Sequence, residues 1–374
     1  MANPGPDKNG DRDRLAALLG LAEVPGIGAA RIRMLVGAFG DPLAAVRAPR
    51  AALERLPGFT GAGARAVRAV SLERGRAILQ ELDRLGARVL TEGDPEFPPL
   101  LREIPDAPFT VFVWGDAALL ARPAAAIVGS RDHSSYGAEV ARGLASGLAR
   151  AGVVVVSGMA RGIDALAHSA ALDAGGASVG VLGNGFGVVY PAANRALYDR
   201  MAAAGCLVTE FPPGERPHAG AFPRRNRLIS GLAMVTVVVE ARAQSGALNT
   251  ADRALDQGRG VLAVPGPITS PTSVGCNRLI QQGAKPVLGV ADVLEELGLP
   301  EPAASPFAGG SPATPRDLSP LEQTLWAALA GEARHIDALV AAAGADVGAV
   351  LTALTDMELR GLVSQRPGMV FAVA

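Results

Sequence analysis

The chain carries no excess of positive charge. Its 35 basic residues are balanced by 36 acidic ones, for a net charge of -1 and a pI near 6.5. That excludes a protein coated in positive potential, so any contact with a polyanion has to be local. Lysine is nearly missing, present only at Lys8 and Lys285, a skew that base composition alone explains. Cysteine is scarce too: Cys206 and Cys276 stand in unrelated segments without metal-ligand spacing, and the four histidines are scattered. The expectation is a reduced, metal-free, cytoplasmic protein. The polar start, MANPGPDKNGDRDR, has no signal-peptide core, and no run approaches the roughly 20 apolar residues of a membrane span. A soluble protein without a membrane partner is expected.

Three chemical signatures are also missing. No G-x-G-x-x-G follows a strand with an acidic residue about 20 positions on, and there is no Walker A sequence, so no nucleotide cofactor is expected. Ser157 and Ser230 lack the G-x-S-x-G elbow of serine hydrolases. What remains is a chain of 374 residues, 49% hydrophobic and 19% charged. It is long enough for two or three domains and apolar enough to bury a sizeable core.

Against that background FPRRNRLISG, Phe222 to Gly231, stands out. Arg224, Arg225 and Arg227 crowd around Asn226 and lead into the apolar strand Val235 to Val239. Charge so dense beside a buried core is costly unless an anion meets it, which points to a phosphate-tracking site.

The chain divides into zones. Residues 1–10 are expected to be disordered. Residues 11–85 are helical by apolar spacing, interrupted by two glycine turns, VPGIGAAR and LPGFTGAGAR. These resemble tandem helix-hairpin-helix elements, in which Gly26 and Gly28, or Gly58 and Gly61, bring backbone N–H groups close to a phosphate. A small helical scaffold that only packs is the alternative. Residues 92–298 alternate apolar strands with helices, the pattern of a doubly wound, Rossmann-like α/β domain with a mostly parallel sheet. Residues 301–320, rich in Pro, Ala, Gly and Ser, form a linker. Residues 321–374 give three helices and two short strands around Arg366-Pro367-Gly368, the order of a winged helix. Its third helix, Asp346 to Glu358, offers only small, apolar, threonine and acidic side chains, so a protein-interaction or packing role is expected in place of major-groove reading.

In doubly wound sheets ligands bind beyond the carboxyl ends of the strands. Four segments qualify as loops there. Val128 to Gly137 supplies Gly129, Ser130 and Arg131. Val156 to His168 supplies Ser157, Gly158 and Arg161. Val181 to Pro191 is a third glycine-rich exit, and the arginine cluster is the fourth. Their convergence makes a basic, backbone-lined groove. Arginine forks suit phosphate and stack on unpaired bases, so single-stranded nucleic acid fits both requirements. The structural alternatives are that Arg131 and Arg161 pair with carboxylates such as Asp164 or Glu210, that Asp164 orients its loop, and that His168 is a packed histidine. Tyr136, Tyr190 and Phe222 are either base platforms or core lids.

Taken in order, VGSR, SGMARGIDALAH, VLGNG with YP and Asn194, TEFPPG, FPRRNRLISGL, VVVEA, SGALNTA, AVPGP and GCNRLIQQGA resemble the DNA-processing protein A family, DprA or Smf. The match runs through most of Ala125 to Ala284, and the flanking zones resemble that family's helical SAM-like domain and winged helix. Phe186 and Gly187 stand where the family usually has Leu and Asp, and Ala247 where Ser is common. The resemblance implies a non-enzymatic protein that binds single-stranded DNA, protects incoming DNA during natural transformation and loads the recombinase RecA as a homodimer. It implies Arg131, Arg161, Arg224, Arg225 and Arg227 as strand contacts, with Gly129, Ser130, Ser157, Gly158 and Asn226 shaping the pocket. If about five phosphates are neutralised, affinity should fall about 100-fold between roughly 50 and 200 mM salt. The alternative is a nucleoside-monophosphate-processing enzyme of the phosphoribohydrolase type, since Glu240 with SGALNTA superficially resembles such sites, although PGGxGT is absent.

Overall fold

The computed structural model describes residues 8–300, 318–329, 333–366 and 368–373. The chain forms two compact units, Met1–Ser305 and Pro306–Ala374. Most of the expected disordered N-terminus and linker, and Pro367 of the expected turn, lie outside the described residues. Helix nevertheless begins at Lys8, inside the stretch expected to be frayed.

The first unit opens with helices α1 (Lys8–Ala22), α2 (Ala29–Phe39), α3 (Pro42–Arg47), α4 (Arg50–Leu53), α5 (Gly61–Arg68) and α6 (Leu72–Leu85). Leu18, Leu21, Ile32, Leu35, Leu53 and Val67 close a core of their own. The starts are specified locally: Asp41, Thr60 and Ser71 accept N–H bonds as caps of α3, α5 and α6. The two glycine turns are built alike. Val24 and Ile27 donate to the carbonyls of Leu21 and Val24, and Leu56 and Phe59 donate to those of Leu53 and Leu56. Gly26 and Gly58 take φ of +83° and +76°, a conformation that disfavours any side chain.

The chain then runs β1 (Ala87–Thr91), α7 (Pro99–Arg102), β2 (Thr110–Gly115), β3 (Ala124–Val128), α8 (Ser135–Arg150), β4 (Val154–Ser157), α9 (Ile163–Asp173), β5 (Ser178–Val181), α10 (Arg195–Ala204), β6 (Cys206–Thr209), α11 (Ala221–Gly231), β7 (Val235–Val238), α12 (Gly246–Asp256), β8 (Gly260–Ala263), α13 (Val274–Gln281), β9 (Lys285–Pro286) and α14 (Val290–Glu296). One sheet holds all nine strands in the order β1-β2-β6-β5-β4-β3-β7-β8-β9. From β6 to β9 the pairing is parallel; β1 and β2 are antiparallel. β1 lies ahead of the zone 92–298. Every residue of β3, β4, β5 and β7 is buried, as expected for a parallel sheet covered on both faces. From β3 the chain winds outward one way through β4, β5 and β6, and the other way through β7, β8 and β9. The switch of direction between β3 and β7 opens a crevice at their carboxyl ends.

The second unit packs α15 (Pro320–Leu329), α16 (Ile336–Ala343) and α17 (Val347–Leu359) against a small sheet of β10 (Arg334–His335), β12 (Val370–Val373) and β11 (Val363–Arg366), in that spatial order. Leu325, Leu339, Val350, Leu354 and Met357 form its core. This is a winged-helix arrangement; the two-residue β10 was too short to register as a pattern. Among the described residues no single helix is long and apolar enough to cross a membrane.

Candidate nucleic-acid interface

The arginine cluster is not a loop. Phe222 to Gly231 is the body of α11, and a helix sends side chains three or four apart to one face and their neighbours to another. Phe222, Arg225, Asn226 and Ile229 face the crevice, whereas Arg224 lines a different cleft with Gly28, Glu210 and Pro212. Charge density and Pro223 obscured this period in the sequence. Proline is tolerated in a first turn because the N–H groups there have no helical acceptor anyway.

Two adjoining cavities, of about 410 and 270 Å³, share Arg131, Ala160, Phe222 and Arg225. The larger sits at the switch point, between Gly129 after β3 and the start of α12 at Ser245, Gly246 and Asn249. The smaller continues past Gly158, Arg161 and Gly183 to Tyr190. Thus Gly129, Arg131, Gly158, Arg161, Arg225 and Asn226 are brought to one groove. Arg161 is 63% exposed and pairs with Asp132 at 3.0 Å on the surface. Arg131 is exposed, stacks over Phe222 with its guanidinium carbon 5.6 Å from the ring centre, and Phe222 in turn lies 5.7 Å from Tyr190. Cation and aromatic rings are therefore presented side by side.

Arg225 forms the floor. Its Nη1 donates to the carbonyls of Gly158 and Val181, and its Nε donates to Asn226 Oδ1. Burial pulls its pKa down to about 10, with the Asp164 charge opposing the fall and the Arg131 charge adding to it. Among the described residues no carboxylate lies within 4.0 Å of Arg131 or Arg225. Two like charges converge there, with Asp164, which also lines the larger cavity, as an opposing charge on Arg225. Asn226 donates from Nδ2 to Asn249 Oδ1 at 3.1 Å, tying α11 to α12.

Asp164 orients its loop: its carboxylate accepts the N–H groups of Gly158 and Ala160, and burial pushes its pKa up. Gly158 leaves room here, because an added Cβ would stand 2.8 Å from both Arg225 Cζ and Asp164 Oδ2 and force those side chains to shift. Ser157 and Ser130 face inward and are spent on Ile127 O and on the Asp132 backbone. Neither lines the two cavities. His168 is a core histidine. Ser178 donates to Val155 O, so it must accept from His168 Nδ1–H, which fixes the tautomer. Burial first, then the Arg225 charge, lowers its pKa to about 3.

Arg227 goes the other way. Only 10% exposed, it pairs with Glu210 at 2.5 Å and Asp106 at 3.4 Å. Glu210 is itself 7% exposed and also faces Arg224 at 3.6 Å, which lies over the Phe211 ring. Arg224 and Arg227 thus belong to one internal network on the face of α11 away from the groove. Residues the sequence reading left out are Asn249 and Ser245 at the start of α12. Both lie in SGALNTA, a segment that entered the family resemblance without either residue being singled out, and Ser245 is the N-cap of α12.

The chain also matches known proteins. Residues 88–298 match the model of DNA recombination-mediator protein A, and residues 310–369 that of the DprA winged helix domain. Protein Smf of Escherichia coli is 42% identical over 286 residues, covering 75% of this chain and 76% of that one. The X-ray structure of DNA processing protein A from Streptococcus pneumoniae aligns with a TM-score of 0.65 at 33% identity, over 76% of this chain and 96% of that one. DNA processing protein A from Helicobacter pylori, whose structure is described as giving insight into its single-stranded DNA binding mode, aligns with a TM-score of 0.52 at 27% identity, over 56% and 95%. With a nine-stranded α/β core, N-terminal helices and a C-terminal winged helix in the expected order, the chain belongs to the DprA/Smf family of DNA recombination-mediator proteins.

Proposed function

We propose that the switch-point groove holds the backbone of single-stranded DNA and that the chain acts as a non-enzymatic recombination mediator. In this reading it protects incoming DNA in the cytoplasm and delivers it to RecA recombinase as a homodimer. The observation that carries the reading is the joining of Arg131 and Arg161 to the Phe222 and Tyr190 rings in one open groove over the Arg225 floor. Phosphates meet the guanidiniums, and unpaired bases, which a duplex would hide, meet the rings. The single-strand binding named for the Helicobacter pylori protein supports the same direction.

The phosphoribohydrolase reading loses its acid. Glu240 is 2% exposed and its carboxylate accepts from Ser134 N, Ser134 Oγ and Thr272 Oγ1. It staples the start of α8 to the loop after β8 and does not line either cavity of the groove. Fluorescence anisotropy with single- and double-stranded oligonucleotides, on wild type and Arg131→Ala/Arg161→Ala, tests the proposal. A salt-dependent single-strand preference that collapses in the folded variant supports it. Unchanged binding, or turnover of a nucleoside monophosphate, removes it.

A further inference from the structure

The nine-stranded sheet ends at β1, whose outer edge pairs with no strand. Glu92 N donates to Phe109 O, which sets the phase of the antiparallel pair. Arg88 and Leu90 therefore bond to β2, and the backbone N–H and C=O of Ala87, Val89 and Thr91 point away from it. Thr91 is satisfied locally: its N–H donates to Asp94 Oδ2 at 2.6 Å, and its carbonyl accepts from Asp94 N at 2.9 Å. Val89 has no such partner among the described residues. The edge opens onto a groove of about 620 Å³, walled by Leu15, Val36 and Pro42 of α1 to α3 on one side and by the turn Gly93 to Glu96 on the other. Val89 packs against the same core as Leu15, so a strand laid along this edge places alternate side chains on the apolar wall. A charged residue on an edge strand guards against pairing, but Arg88 is held by Glu96 through two hydrogen bonds of 2.6 and 2.8 Å. Around the groove the carboxylates of Asp11, Asp41, Asp94 and Glu96 outnumber the guanidiniums of Arg14 and Arg88.

We propose that the β1 edge docks an extended, cationic segment of another protein, added to the sheet as one more strand. Main-chain hydrogen bonds to Val89 supply affinity, the apolar wall selects apolar side chains at alternate positions, and the surplus of carboxylates selects lysine or arginine. A second copy of this chain fits poorly, because its own edge carries flanking helices that a groove walled on both sides does not admit. The chain's own segments outside the described residues fit poorly as well. Residues 1–7 contain Pro4 and Pro6, and residues 301–317 contain Pro302, Pro306, Pro312 and Pro315, each of which lacks the N–H that a ladder needs. In the sheet order β1 stands five strand spacings from β3, on the order of 24 Å at about 4.8 Å each. A segment docked there leaves the switch-point groove open.

The full-length chain is titrated into the fluorescein-labelled peptide RVTVSVK, with anisotropy as the readout. Val89→Pro is tolerated by the fold, since the N–H it removes bonds to nothing in the sheet. It should weaken binding by about tenfold, the loss of one hydrogen bond. Two versions of the peptide, N-methylated at odd or at even positions, should behave differently, one losing binding and the other keeping it, because only alternate amides face the edge. The sign-reversed peptide EVTVSVE should bind more weakly. Arg131→Ala/Arg161→Ala should leave peptide binding unchanged, so that failure of the DNA groove is read separately. If Val89→Pro fails to fold, the N-methylated pair on wild type decides. The proposal is overturned if wild type binds no RVTVSVK at about 1 mM, if Val89→Pro or either methylation pattern makes no difference, or if the acidic peptide binds as tightly. It is also overturned if Val89→Pro changes the oligomeric state in sedimentation, which would give the edge to a second copy of this chain.

Discussion

Two faces of α11 neutralise their buried arginines in opposite ways. Arg227, turned toward β6 and the 106 loop, meets carboxylates directly, with Glu210 at 2.5 Å. Arg225, two residues earlier and turned toward the groove, meets carbonyl oxygens and only the more distant charge of Asp164. The first arrangement pairs its charges within the protein, though Glu210 Oε2 and Arg227 Nη1 are left without a hydrogen-bond partner, so it serves the fold. The second leaves positive potential over an open cavity, which is where the proposed ligand would sit. A sequence cluster that looked like one site is two devices back to back.

The largest expected effect is on the paired side. Arg227→Ala leaves Glu210 buried without its main partner, which should cost about 3–5 kcal/mol in urea denaturation. Restoring balance with Glu210→Gln should recover most of it. If the single variant is as stable as wild type, the closed network is not structural and the contrast fails.

Acid titration probes the core behind the groove. With a folded pKa near 3 against the usual 6.5, His168 stays neutral when folded while the unfolded chain takes up a proton. Its contribution is complete above about pH 6.5 and is lost as pH falls toward 3, on the order of 3–5 kcal/mol. His168→Gln should flatten that limb of the stability curve, and an unchanged limb counts against the assignment.

On the open side, Arg131→Ala/Arg161→Ala should leave the melting temperature nearly unchanged and lower the single-strand salt slope by about 1.4. Arg224→Ala, on the far face, should change that slope little. Equal losses from both would mean the strand wraps α11, merging the two faces. The smallest effect concerns Asp164. Because its folded pKa is raised, its contribution is full below its unfolded value and declines as pH rises through the folded one. Asp164→Asn should remove that decline, seen as a shallower fall in stability above pH 4.

The sheet was legible because its strands are short apolar runs, and parallel strands buried on both faces have no other option. β1 was missed because Arg88 and the exposed edge break its pattern. Of the candidate site, Gly129 and Arg131 follow β3 and Gly158 and Arg161 follow β4, as their place after apolar runs indicated. The helical state of Phe222 to Gly231 was hidden, because the charged and polar residues filling two of its faces mask the 3.6 period.

Sequence alone determined the class of the molecule, the order of its parts and the residue types available to meet phosphate. These follow from local pattern and composition, which act over a few residues at a time. Only the tertiary structure decided which arginines are free. An ion pair such as Arg227 with Glu210, or its absence at Arg131, depends on what the fold brings within 4.0 Å from elsewhere in the chain, and Coulomb attraction is set by that distance and by burial.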